Sequence, residues 1–171
     1  AQTGLCGGSI EDSTGDAARP IVDKSRAVER VAAAVEAARK APQGFMLTAR
    51  AEAFLYGDAD LDEVIGRLQA FEAVGADVLF APGLPNIEAV KSVCDSVSRP
   101  VNVMVYGKLA RHSVEEFAAA GVARLSLGSG LASEAYAALA EQALALKASG
   151  TFDMFGKRRD AQARVRAIIG E

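Results

Sequence analysis

The sequence is poor in the features that mark secreted, membrane and nucleic-acid-binding proteins. Among 171 residues there are two cysteines, Cys6 and Cys94, too few for a disulfide framework, so a reducing cytoplasm is expected. No apolar run approaches the roughly 20 residues of a membrane span, and no signal peptide is visible at the N-terminus. The net charge of −3 argues against a nucleic-acid surface. We therefore expect a cytoplasmic protein that binds neither membrane nor nucleic acid.

Histidine and cysteine offer little candidate chemistry. His112 is the only histidine, and its place just before a helix start at Ser113 predicts a surface residue. Cys6 opens a strand that is expected to be buried, and Cys94 falls on a helix face. Neither thiol has a base nearby in the sequence, so neither is a convincing nucleophile.

Short runs of β-forming residues alternate with helical patterns along the whole chain. Half of the residues are apolar, which is enough for one domain with a sizeable core. Strands are predicted at 6–11, 45–50, 78–81, 101–105 and 124–127. Alternation of this kind predicts an α/β fold with a parallel sheet and right-handed crossovers.

Helix start and stop signals agree with this alternation. Asp60 with Glu63, and Ser113 with Glu116, fit capping boxes, in which two side chains satisfy free backbone donors reciprocally. Glycines that should end helices occur at positions 75, 121 and 150. A last helix is predicted from about 155 to 169.

The residues alone leave two architectures open. A five-stranded doubly wound sheet, as in a flavodoxin-like binding domain, would be complete at this length. A (β/α)8 barrel needs roughly 250 residues. The chain would then hold strands 4–8 and the C-terminal helices of a single barrel domain over 1–171, and its first three units would lie upstream of Ala1.

Charged residues stand where two neighbouring predicted strands end. Glu11 and Asp12 follow one apolar run, and Arg50 and Glu52 follow the next. The carboxyl ends of parallel strands form the active-site rim of β/α enzymes, so this placement predicts a site there. Each residue also has a structural interpretation: Glu11 as a helix cap or ion-pair partner, Arg50 paired with Glu11 or Glu52, and Glu52 as an exposed loop acid.

Asn102 is a further candidate, because it lies inside an apolar strand and a buried amide needs partners. It could contact a substrate or water, or form a hydrogen bond to a neighbouring strand. Glu11 and Asp12 point in opposite directions if their strand continues through both, so one could face the mouth of a barrel and the other a loop.

Five motifs in order resemble the isocitrate lyase/phosphoenolpyruvate mutase superfamily. Gly-Gly-Ser-Ile-Glu-Asp at 7–12 and Leu-Thr-Ala-Arg-Ala-Glu-Ala at 47–53 are similar to its fourth and fifth barrel strands. Segments 73–83, 99–104 and 120–128 are similar to the sixth, seventh and eighth. The resemblance covers nearly the whole chain and favours the barrel over the open sheet.

The resemblance implies a Mg²⁺-dependent lyase that acts on C–C or P–C bonds of small 2-oxo acids, such as oxaloacetate or phosphonopyruvate. It implies a homo-oligomer, a dimer or tetramer. By the same resemblance, Glu11 lies near the metal and acts on it through water, and Arg50 holds the substrate's oxygens. Asn102 occupies a rim position. Glu52, two residues after Arg50 in the sequence, is expected to support that side chain at the substrate site.

Departures from the superfamily pattern reduce the number of reactions that we expect this chain to catalyse. The paired aspartates that anchor the metal are absent and would lie upstream of this chain. The loop at 13–20 has no cysteine, histidine or lysine, whereas the lyases carry a catalytic cysteine there. Decarboxylation or hydrolysis is therefore expected rather than isocitrate cleavage. A non-catalytic 2-oxo acid binding protein of the same fold is the alternative.

Overall fold

Five parallel strands alternate with helices over the first 128 residues. The computed structural model describes residues 4–41, 43–57, 59–153, 156 and 158–170. It divides the chain into two compact units, Ala1–Gly128 and Ser129–Glu171. The strands are β1 Gly7–Glu11, β2 Met46–Arg50, β3 Val78–Phe80, β4 Val101–Met104 and β5 Arg124–Ser126. The helices of this unit are α1 Lys24–Arg39, α2 Leu61–Ala73, α3 Ile87–Ser96 and α4 Val114–Ala119, with 3-10 turns at Ala53–Leu55 and Gly107–Arg111.

The strands lie in the order β1-β2-β3-β4-β5, and every pairing is parallel. The predicted α/β fold is confirmed, and each strand differs from its predicted range by one residue at one end. A flavodoxin-like sheet reverses its strand order at a switch point, as in 2-1-3-4-5. The sequential order found here is instead that of a barrel wall, so the open-sheet alternative is wrong.

The strands are staggered relative to one another. One row of paired residues crosses the sheet. In β1, β2 and β3 this row contains the last residue of each strand, which is Glu11, Arg50 and Phe80 respectively. It continues to the second residue of β4, Asn102, and the first residue of β5, Arg124. A stagger of this kind is what closure of a sheet into a barrel requires.

The core lies between the other face of the sheet and the helices. Ile10, Ala49, Leu79 and Val101 form the next row of paired residues, and the last three of them are almost fully buried. They belong to one hydrophobic cluster with the apolar stripes of α2 and α3: Val64, Leu68, Phe71, Val90 and Val93. Burial of these side chains holds the strand ends in fixed positions.

Helix termini follow the predicted signals with one exception. The capping box at Ser113 and Glu116 is present, since each side chain accepts a hydrogen bond from the other's backbone N–H. The Asp60 side chain caps α2 by accepting from the backbone of Asp62 at 3.0 Å. The predicted box with Glu63 is wrong, because the Glu63 carboxylate is bound to Arg67 on the next turn.

Two predictions about single residues are also corrected. Cys6 is exposed, because it precedes β1, the edge strand of the sheet, whose own residues are exposed or only partly buried. His112 is less exposed than predicted: it is partly buried, with its side chain 14% exposed and bonded to Glu116, and its ring lies edge-on to Phe117.

The second unit contains α5 Gly130–Ser149 and α6 Arg158–Ile169. Gly150 ends α5 in the left-handed conformation, with φ of +65°, as predicted. The predicted start of the last helix, at 155, lies outside the described residues. Within the described part of the chain, no helix is both long and apolar enough to cross a membrane.

Gly83 is expected to tolerate no side chain. Its φ is +93°, and a Cβ built there would lie 2.8–2.9 Å from Cβ, C and O of Phe54. Gly83→Ala should therefore lose more than the roughly 1–2 kcal/mol of the left-handed conformation alone. Gly15→Ala is the matched control, because Gly15 has φ of +77° and open space around it. Urea unfolding of both variants would check this, and equal losses would contradict the close approach to Phe54.

Candidate active site

Three side chains at the carboxyl ends of β1, β2 and β3 stand next to one another. Glu11 pairs in register with Arg50, and Arg50 with Phe80. Paired residues in neighbouring strands project from the same face of a sheet. The predicted carboxylate and guanidinium are therefore brought together, and Phe80 is a third member that sequence reasoning missed.

The Arg50 guanidinium is held from three sides. Its Nε donates to Oε1 of Glu52 at 2.7 Å, and its Nη2 lies 3.4 Å from Oε2 of Glu11. The carbon of the guanidinium lies 5.1 Å from the centre of the Phe80 ring. A planar fork fixed in this way presents a defined set of N–H donors to a carboxylate or phosphonate. Both ion pairs weighed from the sequence are present, and Arg50 stays accessible.

The two carboxylates beside Arg50 differ in their exposure to solvent. The Glu52 side chain is 4% exposed, and that of Glu11 is 47% exposed. Burial raises the pKa of Glu52, although the hydrogen bond and the positive charge of Arg50 lower it. The negative charges of Glu11 and Asp12 raise it further. Glu52 is therefore a buried partner that orients Arg50, and it is not the exposed loop acid.

The raised pKa of Glu52 predicts a pH dependence of stability. The folded state binds its proton more tightly than the unfolded state, so its ionisation costs stability as pH rises above the ordinary value of 4.5. The free energy of unfolding of the wild type, relative to Glu52→Gln, should therefore fall as the pH rises above 4.5.

Glu116→Gln is the control for this measurement, because its carboxylate accepts from the backbone of Ser113 and its pKa is lowered. A lowered pKa gives the opposite sign, so the wild type should gain stability relative to Glu116→Gln as pH rises. Urea titrations at several pH values would show both slopes. If the difference in unfolding free energy from wild type had the same pH slope for Glu52→Gln and Glu116→Gln, burial would not be the dominant influence on the pKa of Glu52.

The Asn102 side chain, on β4, is bonded to the neighbouring strand β5. Its side chain is almost fully buried, its Oδ1 accepts from Nε of Arg124 at 2.9 Å, and its Nδ2 donates to Oγ of Ser126 at 3.1 Å. These bonds match the structural interpretation, a hydrogen bond to a neighbouring strand. A substrate contact by Asn102 stays a prediction.

Asp12 lies on the other side of the strand from Glu11 and faces α2. Its carboxylate is buried and accepts from the backbone N–H of Glu52 at 2.8 Å and from Nη1 of Arg67 at 3.3 Å. Sequence reasoning missed Arg67, although a signal was present. Arg67 lies three residues after Val64 and four before Phe71, within the apolar stripe of α2.

The loop after β1 is tied down by local hydrogen bonds. Ser13 forms an antiparallel bridge with Ile21, and the backbone N–H of Thr14 donates to the carbonyl of Pro20 at 2.9 Å. The hydroxyls of Ser13 and Tyr56 lie 2.8 Å apart, which links this loop to the turn after β2. The loop therefore has a defined shape beside Glu11.

The described residues offer one candidate ligand for the Mg²⁺ that the family resemblance implies. They contain no cluster of three His, Cys, Asp or Glu side chains that could hold a metal ion. Mg²⁺ keeps several of its waters and takes one or two carboxylates. Glu11 is exposed and only loosely paired with Arg50, so it fits the role of one such ligand, reached directly or through water.

Comparison with known proteins gives these features a family context. Residues 1–147 match the family described as phosphoenolpyruvate phosphomutase. Over 130 residues the chain is 32% identical to 2-methylisocitrate lyase of Escherichia coli (strain K12). That alignment covers 71% of this chain and 43% of the lyase.

Solved structures agree with this match. A Burkholderia cenocepacia J2315 protein described as a lyase/mutase is 46% identical, with a TM-score of 0.84, over 88% of this chain and 54% of that one. A crystal structure of oxaloacetate acetylhydrolase is 28% identical, with a TM-score of 0.72, over 88% of this chain and 52% of that one. The chain thus spans about half the length of the relatives that it matches.

Proposed function

The chain belongs to the phosphoenolpyruvate phosphomutase family, and we propose that it forms part of an enzyme that decarboxylates or hydrolyses a small 2-oxo acid. Oxaloacetate and phosphonopyruvate are the substrate types that we propose. The observation that carries this proposal is Arg50, whose guanidinium is fixed by Glu52 and Phe80 at the strand ends while it remains accessible. An oriented guanidinium recognises a carboxylate and stabilises negative charge that develops on a neighbouring oxygen.

In this proposal each residue has a separate task. Arg50 binds the carboxylate of the 2-oxo acid and steadies the developing oxyanion. Glu52 holds the guanidinium in place, and Asn102 extends the contacts to substrate or to a bound water. The fixed geometry of Arg50 means that little reorganisation is needed when charge develops.

We also propose that the enzyme uses Mg²⁺, with Glu11 as a ligand through water and the other ligands outside the described residues. When bound, the ion supplies positive charge that stabilises the enolate form of a 2-oxo acid. The exposed carboxylate of Glu11, beside the guanidinium that would hold the substrate, supports this assignment.

The loop after β1 supports decarboxylation or hydrolysis over isocitrate cleavage. Residues 13–20 include no cysteine, histidine or lysine, so this loop lacks the catalytic cysteine that the resemblance assigns to the lyases. The relation to oxaloacetate acetylhydrolase is consistent with hydrolysis. The same loop favours the second candidate, a protein that binds 2-oxo acids without cleaving them.

The experiment is a turnover assay of the whole protein with products resolved by NMR. Decarboxylation of oxaloacetate gives pyruvate and CO₂, whereas hydrolysis gives acetate and oxalate; phosphonopyruvate is assayed alongside. We expect turnover with Mg²⁺ and its loss with EDTA. Tight binding of oxaloacetate without any product would favour the binding protein, and neither binding nor turnover would contradict both candidates.

We further propose that the protein is cytoplasmic and assembles as a dimer or tetramer. Both cysteines are free thiols, which is consistent with a reducing environment. Large apolar side chains on α5 are exposed, which is consistent with a surface covered in an oligomer: Leu131, Tyr136, Leu139 and Leu144. Light scattering of the whole protein would give the oligomeric state, and a monomer would contradict the proposal.

A further inference from the structure

Both ends of β2 are fastened by an aspartate and an arginine. At the first end, Oδ2 of Asp77 accepts from the backbone N–H of Leu47 at 2.8 Å, and Arg39 of α1 binds the same carboxylate. At the other end, Asp12 accepts from the backbone N–H of Glu52 and from Arg67 of α2. The two arrangements are alike in chemistry, but only the second lies beside Arg50.

The pair beside Arg50 is the more deeply buried of the two. The side chains of Asp12 and Arg67 are 1% and 9% exposed, whereas that of Arg39 is 49% exposed. Burial of an ion pair costs desolvation, and well-packed apolar residues often stabilise a fold at least as well. Stability is therefore a weak explanation for a buried pair of Asp12 with Arg67, which lies within the apolar stripe of α2.

Arg67 also fixes both ends of the loop after β1. Its Nη1 donates to the carbonyl of Val22 at 2.8 Å, and its Nε donates to Glu63 at 2.6 Å. The backbone N–H of Val22 in turn donates to the carbonyl of Asp12 at 2.8 Å. One guanidinium thus joins the residue at the start of this loop to the residue at its end.

We propose that Asp12 and Arg67 are positioning residues for the reaction assigned above, and that they act through Arg50. Arg67 holds the Asp12 carboxylate, Asp12 holds the backbone of Glu52, and the Glu52 carboxylate holds Nε of Arg50. Because Asp12 follows Glu11 directly in the chain, the same contacts fix the end of β1. This inference rests on the proposed function, since it assigns a role in substrate orientation.

The test is a double-mutant cycle in the whole protein, with Arg67→Met and Arg50→Ala. Arg67→Met alone should lower kcat/KM for the 2-oxo acid at least tenfold. In the Arg50→Ala background it should have less than a threefold effect, because the residue through which it acts is gone. Arg39→Met, the matched control at the other end of β2, should stay within twofold of wild type. If Arg67→Met does not fold, Asp12→Asn replaces it in the cycle. This variant removes the charge that pairs with Arg67 and keeps an acceptor for the backbone N–H of Glu52.

Two kinetic results would overturn the inference. One is an effect of Arg67→Met within twofold of wild type. The other is a double variant whose fold-loss in kcat/KM equals the product of the losses of the two single variants. That result is expected if Arg67 acts on stability alone.

Hydrogen exchange measured by mass spectrometry separates this inference from the proposed function, because it needs no turnover. Arg67→Met should speed exchange in the segments that contain residues 13–22 and 51–53, and leave residues 78–80 unchanged. If the wild type turns over no 2-oxo acid, the proposed function fails. This exchange pattern then decides whether the contacts hold the strand end, and unchanged exchange in 13–22 and 51–53 overturns the positioning role.

Discussion

Replacing Arg50 with alanine is expected to lower kcat/KM for the 2-oxo acid by well over tenfold. Because Arg50 is proposed to stabilise the oxyanion directly, the expected loss is about 100- to 1,000-fold. The substitution removes the guanidinium that Glu52 and Phe80 hold at the strand ends. It also leaves the buried carboxylate of Glu52 without its ion-pair partner. Steady-state kinetics of the whole protein would measure the loss.

Arg50→Lys is the matched variant, because it keeps the positive charge and removes the planar fork. We expect its activity to lie between those of the wild type and Arg50→Ala, with the larger change in kcat. Circular dichroism would establish that both variants are folded. Near-normal turnover in folded Arg50→Ala would refute the assignment of this site.

Replacing Phe71 with alanine is expected to lower the free energy of unfolding by about 3–5 kcal/mol. Phe71 is fully buried and is the largest side chain in the apolar stripe of α2. Its removal would leave a cavity between this helix and the sheet. Because the sequence has no tryptophan, urea unfolding would be followed by far-UV circular dichroism.

Phe71→Leu is the control for this prediction. It keeps most of the apolar volume, so its loss should be less than half of that for Phe71→Ala. A loss below about 1 kcal/mol for the alanine variant would show that the space around α2 collapses easily. The packing that fixes Arg67 and the end of β2 would then be looser than the structure indicates.

The sequence predicted the strands and their parallel arrangement because both depend on local patterns. Runs of β-forming residues mark the strands, and helical spacing between them requires crossovers that make neighbouring strands parallel. The carboxyl-end placement of Glu11 and Arg50 follows from chain direction alone. Their meeting side by side depends on the register, which no local pattern fixes.

Sequence reasoning proposed the ion pairs of Arg50 and the opposite directions of Glu11 and Asp12, but for the same reason it could not identify Arg67 as the partner of Asp12. Asp12 and Glu11 are adjacent carboxylates in sequence, yet one is buried against α2 and the other is exposed on the opposite face of the strand. Arg67 stands 55 residues from Asp12. Such a contact forms only when a helix packs on the sheet. The one sign of it in the sequence is the charge of Arg67 inside the apolar stripe of α2.

The measurement that tests the central claim most directly is calorimetric titration of the whole protein with oxalate in the presence of Mg²⁺. Oxalate is a planar dianion that shares the arrangement of oxygens of a 2-oxo acid enolate, so it probes the site without turnover. We predict binding to the wild type and to Arg39→Met with equal affinity, and at least tenfold weaker binding to Arg50→Ala. Equal binding to all three proteins, or no binding to the wild type, would contradict a 2-oxo acid site at these strand ends.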